Sequence, residues 1–450
     1  MTSVTEKLAR AAVEMNYERL PEPVVREAKR CLIDWAGVTL WAAESPTARK
    51  LFNVIQDLGG REQASIIPSG FKTTVLNASL VNGSVSHVLD FDDVHSRAII
   101  HTSAVLAPAA LAGGEWKKRG GKEVIAAFVA GFEAATRVSF AAGKGPHQLD
   151  KGWHPTSTMG RIGAAVSFGK LLRIDAMQMA MGLGLAATQA GGLRRVFGTM
   201  AKHFHAGKAA YDGILAALLA AQDFTAPVDL LEGPDGLCSV LSGQFDEAQL
   251  LDGWGERYEI LANSFKPYPA CYQTHAVINA CVDIFDRDRP DPSKIEEVVC
   301  EVNPVAQEVA DIKDPKTGSE AKFSISYCAA RGLMGDVSSS KFVPEEIGKK
   351  DVQNLMRRVQ IKTNPSFGVE NAAVSVKTSD GRKAESKVQF LRGGPSRPMS
   401  DEDLDDKFLG QAAPILGSRD QAERALKMLR SVEKLEDVSE ILRCLTRTPR

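Results

Sequence analysis

The chain has 450 residues, 44% of them apolar and 25% charged, the balance of a folded globular protein rather than a disordered one. With 55 basic against 56 acidic residues, no global field draws it to nucleic acid or to an anionic membrane, so any anionic ligand must be met by local charges. The length exceeds one simple core and predicts two or three domains.

The amino terminus, MTSVTEKLARAAVEMNYERL, is amphipathic with acids among its bases, unlike a secretory leader or an organelle presequence, which predicts a cytoplasmic protein. Ser45-Pro46 opens a helix with a capping residue and a proline at the first helical position, and Gly59-Gly60 closes it. Gly113-Gly114, Gly120-Gly121 and Gly191-Gly192 are expected to be turns between further helices. Ala126 to Ala142, Ala164 to Leu172 and His205 to Gln222 are rich in apolar and small residues around most of their circumference, as in helices buried at the centre of a large domain. The longest uncharged stretch, Ala176 to Leu193, is broken by Gln178, Gln189 and glycines and reads as core rather than as a bilayer span.

After about Asn263 the texture changes. Val298 to Val302, Val359 to Lys362, Ala373 to Thr378 and Ser386 to Leu391 are short and β-rich, and Ser379-Asp380-Gly381 supplies a turn between two of them. Two helices are expected over this sheet: Val277 to Arg287, and one opened by the capping box Thr317-Gly318-Ser319-Glu320 and continuing through AKFSISYCAARGLM. Gly393-Gly394-Pro395-Ser396 breaks the chain, and Asp401 to Leu445 returns to amphipathic helix. The expected fold is mainly α: a large all-helical domain (1–262), a smaller α+β lid domain (263–395) inserted before the C-terminal helices, and those helices (396–450) packing back on the first domain. The seven cysteines are scattered without a C-x-x-C pair and read as reduced thiols.

All eight histidines lie between His87 and His275, a confinement that points to proton-transfer chemistry. In VNGSVSHVLDFDDVHSRAIIHTSA, His87 and Asp90 share a helix face if the helix runs that far. The segment suits a carboxylate and imidazole pair for acid/base work, a metal site of Asp and His, or plain helix-end capping around a core histidine. A metal is not expected, because H-E-x-x-H and paired cysteines are absent and the one H-x-H, His203-Phe204-His205, lies beside a lysine. In GWHPTSTMG, Pro155 biases His154 to an extended conformation, and Thr156, Ser157 and Thr158 offer capping hydroxyls to a helix N-terminus that suits a carboxylate or simply caps itself. Lys202 enters an apolar helix and needs an anionic partner, either a core carboxylate or a ligand. Lys266 and His275 flank the Pro-rich turn where the two textures meet, the kind of cleft where small ligands bind.

These segments, with FGTMAKHFHAGKAAYDGILAALLAAQDFTAP, YPACYQTH and EAKFSISYCAA, occur in an order that resembles the MmgE/PrpD family over nearly the whole chain. That family includes 2-methylcitrate dehydratases, cis-aconitate decarboxylases and iminodisuccinate epimerases. The resemblance implies a homodimeric lyase with no metal or organic cofactor, acting on a small anionic di- or tricarboxylate, with no nucleic-acid or membrane partner. It implies catalytic roles for Asp90, His101, His154, Lys202, His275 and Tyr327, and places Lys266, Thr156 and Tyr272 beside the substrate. His101 and His154 are the expected proton donor and acceptor. Asp90 is expected to orient an imidazole and raise its pKa, and Tyr327 and His275 to close the site from the lid. His87, His95, His203 and His205 are expected to be supporting residues. Two departures stand out: an extra residue between Asp90 and His101, and Tyr272 where many relatives carry arginine, a charge that Arg194 or Arg195 would then supply. The alternatives are an epimerase of a dicarboxylate such as iminodisuccinate, and a non-catalytic carboxylate-binding protein.

Overall fold

A computed structural model of the chain describes residues 2–143 and 147–447. It is mainly α and is organised around two hydrophobic cores. The larger core joins the helices of the first 265 residues to the helices Asp401–Leu416 and Arg419–Arg430 near the C-terminus. At its centre the helix Met200–Ala220 packs on Val75–Ser86 and on Gly160–Leu172. The first of these contacts is backbone to backbone. A Cβ on Gly207 would stand 2.0 Å from the Leu80 carbonyl oxygen, and one on Gly83 would stand 2.9 Å from the Gly207 Cα. That approach brings the N-terminal turn of one helix, with Lys202, against the C-terminal end of the other, with His87.

Gly113 and Gly114 are not a turn. Both lie within the helix Thr102–Lys117, where Cβ atoms would meet Phe168 at 2.9 Å and Val438 at 2.5 Å, so the pair is spent on close helix packing. Gly120 caps the next helix, Gly121–Ala141, which is long and apolar enough to cross a bilayer yet is buried inside the fold beyond its first turn and carries the ion pair Glu133–Arg137.

Two strands, β1 (Ala64–Ile66) and β2 (Phe71–Thr73), form a small hairpin against the helical core. The second core lies under a four-stranded sheet of β3 (Ile295–Val302), β4 (Val359–Thr363), β5 (Ala372–Thr378) and β6 (Lys383–Val388), in the order β4-β3-β5-β6. β3 runs parallel to β4 and antiparallel to β5. Strict alternation along β5 buries Ala372, Val374, Val376 and Thr378 on one face, and the helices His275–Asp288 and Ile325–Leu333 share the core beneath it. The helix expected from Thr317 onward is two helices, Gly318–Ala321 and Ile325–Leu333. Between them the Ser324 hydroxyl accepts from the Tyr327 amide and caps a fresh start, while the carbonyls of Lys322 and Phe323 accept from the amides of Cys271 and Ile312. Asp401 to Leu445 is likewise divided, at Gly417 (φ 98°) and again before Ser439–Cys444.

Candidate active site

The helix Val75–Ser86 stops at His87, so His87 and Asp90 do not share a helix face. Asp90 instead adopts a left-handed conformation (φ 51°), which an aspartate tolerates better than most residues. Lys202 Nζ donates to Asp90 Oδ2 at 2.8 Å. Lys266 Nζ donates to the Asp90 backbone oxygen at 2.9 Å and also to Oδ1. All three side chains are buried. Burial alone would raise the Asp90 pKa, but the two ammonium groups outweigh it and hold the carboxylate well below its usual range. Lys266 is raised in turn, its burial outweighed by Asp90 and Asp92.

The imidazoles belong to Asp92. His87 Nδ1 lies 2.8 Å from Asp92 Oδ2, and His101 Nδ1 lies 3.1 Å from the same oxygen with poor hydrogen-bond alignment. The two rings meet edge to face at 4.6 Å. Lys202 also reaches His87 Nε2 at 3.0 Å. An ammonium has only donors, so Nε2 accepts, and the single proton of a neutral His87 sits on Nδ1 and points at Asp92. His101 Nε2 stands 3.9 Å from Asp90 Oδ1. Both Asp90 oxygens serve lysines; burial lowers His203 and His275, and the Asp90 charge pulls against it as expected without restoring the ordinary imidazole value. Burial, with the Lys202 charge nearby, carries His87 down to about 4 against the pull of Asp92, and burial, with Lys266 and Lys202 adding to it, lowers His101 too. Both rings are neutral at neutral pH.

His154 is brought to the same place, its ring 6.0 Å from His87 and edge-on to Phe197 at 5.0 Å. Its Nδ1 lies 3.0 Å from His205 Nδ1, so the two rings share a proton between them. Burial holds His154 well below the ordinary imidazole value, with Lys202 adding to it. The capping expected of the hydroxyls after His154 does not occur. Thr156 Oγ1 accepts from the His101 amide at 3.1 Å, Thr158 donates to Gln148, and Ser157 accepts from Arg161, so they tie segments together around a buried four-residue helix.

From the sheet-bearing part come His275, Tyr272, Tyr327 and Lys322. His275 is buried between Tyr268 and Tyr272, hydrogen-bonded to the Ala270 carbonyl at 3.1 Å, and carried to about 3 by burial and then by Lys266. Two candidates are not brought into the cluster by their polar ends. The Tyr272 hydroxyl donates to Glu370 at 2.8 Å, and the Tyr327 hydroxyl donates to the Lys341 carbonyl while its ring packs on Phe342. Arg194, one of the two suggested replacement charges, pairs with Glu308 at 2.6 Å. Sequence reasoning undervalued His87 and His205 and missed Asp92 and Lys322. The five-residue step from His87 to Asp92 carries a signal only once the helix is known to end at His87.

Among the described residues, His87, Asp92 and His101 also place one possible ligand atom each within 4.8 Å of one another. Lys202 on His87 Nε2 opposes a metal there, because it keeps the proton on the nitrogen that faces Asp92. A cavity of about 960 Å³ between the Pro46–Leu58 helix and the C-terminal helices is lined by Phe52, Ile67, Val81 and Leu416, and shares no residue with this cluster.

The profile of the MmgE/PrpD N-terminal domain matches residues 6–249, and that of the MmgE/PrpD C-terminal domain matches residues 268–434. Among curated proteins, the chain is 27% identical to a cis-aconitate decarboxylase of Homo sapiens, covering 100% of this chain and 95% of the relative. It is 25% identical to that of Mus musculus (99% and 94%) and 24% identical to that of Aspergillus terreus (100% and 97%).

Proposed function

The chain belongs to the MmgE/PrpD family, and from that premise we propose that it is a cofactor-independent lyase acting on a small di- or tricarboxylate, of the 2-methylcitrate dehydratase or cis-aconitate decarboxylase type. One observation carries the reading: a buried carboxylate, Asp90, held by two lysines beside imidazoles kept neutral. The relatives named as cis-aconitate decarboxylases, matched over almost their full length, support the same class.

Loss of a carboxylate as carbon dioxide and removal of a proton next to a carboxylate both leave an electron pair that must spread onto carboxylate oxygens. Cations fixed in place before the reaction stabilise that charge more than they stabilise the ground state. Lys202 uses one donor on Asp90 and one on His87, and Lys266 uses two on Asp90, so each ammonium keeps a third N–H for the substrate. His101 is the ring the substrate meets, since 11% of its side chain is accessible against none of His87. Being neutral, it accepts the proton from carbon. The imidazolium so formed is stabilised by Asp92 and delivers the proton to the departing hydroxyl in a dehydration. In a decarboxylation, which consumes one proton, the carbon that lost its carboxylate takes it from an imidazolium formed by proton uptake from water and stabilised by Asp92, and the ring is left neutral; His154, backed by His205, is the second proton site. The sheet-bearing part acts as a lid, bringing His275 against Lys266.

Incubating the purified protein with 2-methylcitrate, citrate, cis-aconitate and iminodisuccinate, with mass spectrometry as the readout, tests this. Loss of water names a dehydratase, and loss of carbon dioxide names a decarboxylase. Inversion of iminodisuccinate at constant mass names an epimerase and overturns the lyase reading. Unchanged compounds with no deuterium taken up from heavy water overturn every catalytic reading.

A further inference from the structure

The two lysines that the sequence singles out are both committed to Asp90, whereas a third buried lysine beside them has no carboxylate of its own. Lys322 sits at the break between the helices Gly318–Ala321 and Ile325–Leu333. It is 6% exposed, and its ammonium donates to the Val88 carbonyl at 2.9 Å, across the boundary between the two hydrophobic cores. Among the described residues, no carboxylate oxygen lies within 4 Å of its Nζ; Asp92 is turned to the two imidazoles, and Asp93 to Ser103 and Asn263. The ring of its neighbour Phe323 packs tilted against Phe197 and stands 5.4 Å from Lys202 Nζ, which places residue 322 at the edge of the Asp90 cluster. Three ammonium groups therefore face two ionised carboxylates, Asp90 and Asp92, with the imidazoles neutral. A buried ammonium with one neutral hydrogen-bond partner is costly unless an anion comes to it.

We propose that Lys322 binds a carboxylate of the substrate, as a third cation carried by the sheet-bearing part and engaged when that part closes over the Asp90 cluster. The inference rests on the carboxylate-lyase reading. At the helix break the Lys322 carbonyl accepts from the Cys271 amide while its ammonium reaches the Val88 carbonyl. Burial also brings the Lys322 pKa down to about 8 despite Asp90, with Lys202 and Lys266 opposing its charge; an arriving carboxylate reverses that balance. The charged and titratable groups that face it are Asp90 and Asp92 beyond the Val75–Ser86 helix, Lys202 and His203 on Met200–Ala220, and Lys266, which follows Phe265 of the larger core.

The test is calorimetric binding of tricarballylate, an unreactive tricarboxylate, to the full-length protein and to Lys322→Gln and Lys322→Arg, with circular dichroism to confirm folding. Lys322→Gln is expected to weaken binding by about 10- to 100-fold, the range for loss of a charge-assisted hydrogen bond, and Lys322→Arg to recover most of it. The unsubstituted protein should lose affinity as pH rises through about 8, and Lys322→Arg should not. Equal affinity of Lys322→Gln and the unsubstituted protein overturns the proposal, as does equal loss in both variants, which marks a packing role. Absence of tricarballylate binding to the unsubstituted protein overturns it as well. If tricarballylate binds through Lys322 while no compound of the substrate panel is converted, the lyase reading falls and the carboxylate site stands.

Discussion

Two buried charge clusters in this chain differ in how completely they are satisfied. In the helix Gly121–Ala141, Arg137 donates to Glu133 at 3.0 Å and to the carbonyls of Asp252 and Arg257 at 2.8 and 2.6 Å, and Glu133 accepts the Ile260 amide at 3.1 Å. No side-chain nitrogen or oxygen of that pair lacks a hydrogen bond. Around Asp90, by contrast, Asp92 Oδ1 and His101 Nδ1 are buried without one among the described residues, and Lys322 has a single carbonyl there. A closed network fastens the loop 252–260 to the helical core and has nothing left to offer a ligand. The open one is held in place by the rest of the fold and keeps unspent hydrogen-bonding capacity around Asp90, which suits the proposed substrate site.

The largest effect should fall on the closed cluster and on stability alone. Arg137→Met leaves the buried Glu133 carboxylate without its cation and the carbonyls of Asp252, Gly253 and Arg257 without their donor, and should cost about 3–5 kcal/mol in urea denaturation, with per-molecule activity of the folded fraction retained. If activity is lost while stability holds, the contrast between the two clusters fails.

The open cluster should respond in the opposite way. Asp92→Asn keeps an oxygen to accept from His87 Nδ1, so the unfolding midpoint should move little. Without the charge that stabilises imidazolium, kcat/KM should fall about 100-fold, in the range of lost acid/base assistance. The pH profile sharpens this. Because the His101 pKa is lowered, the acid limb of kcat/KM should lie below 6.5, and because Asp92 is what pulls it upward, Asp92→Asn should move that limb lower still. Stability follows the same sign. His87 is depressed from 6.5 to about 4 in the folded protein, so protonation favours the unfolded chain. The stability present above pH 6.5 should decline as the pH falls toward 4, a slope visible in denaturation midpoints and reduced in His87→Gln.

The helices at 126–142, 164–172 and 205–222 were legible because apolar and small residues line most of each segment, a pattern that burial demands whatever the neighbours are. The strands of the sheet were legible through alternation, most clearly along 373–378, although β6 begins and ends before the expected span. The charges were less legible. Lys202 needed an anion, and the structure supplies Asp90. Which carboxylate meets which imidazole, however, depends on one backbone conformation, the left-handed turn at Asp90, and on a helix that ends one residue before His87. Neither leaves a periodic trace. Lys322 was hidden for a similar reason: the capping box at Thr317 is real, but Ser324 starts a second helix seven residues later, and only tertiary hydrogen bonds from Cys271 and Ile312 decide between one helix and two.

The smallest effect tests a residue that the resemblance puts in the site and the geometry puts beside it. Tyr327 is fully buried, but its hydroxyl is spent on the Lys341 carbonyl and its ring on Phe342, which gives it the character of the closed cluster although it belongs to the sheet-bearing part that also carries Lys322. Tyr327→Phe keeps the ring and deletes one hydrogen bond. It should therefore cost about 0.5–1.5 kcal/mol of stability and change kcat by less than about threefold. A proton-donating or substrate-holding hydroxyl gives a different signature: a loss of about 100-fold or more in kcat, with the unfolding midpoint nearly unmoved. That result would mean that the sheet-bearing part shifts on binding enough to pull the hydroxyl from Lys341 into the cluster, and hydrogen bonding within the unliganded protein would then no longer separate structural charges from catalytic ones at the boundary between the two cores.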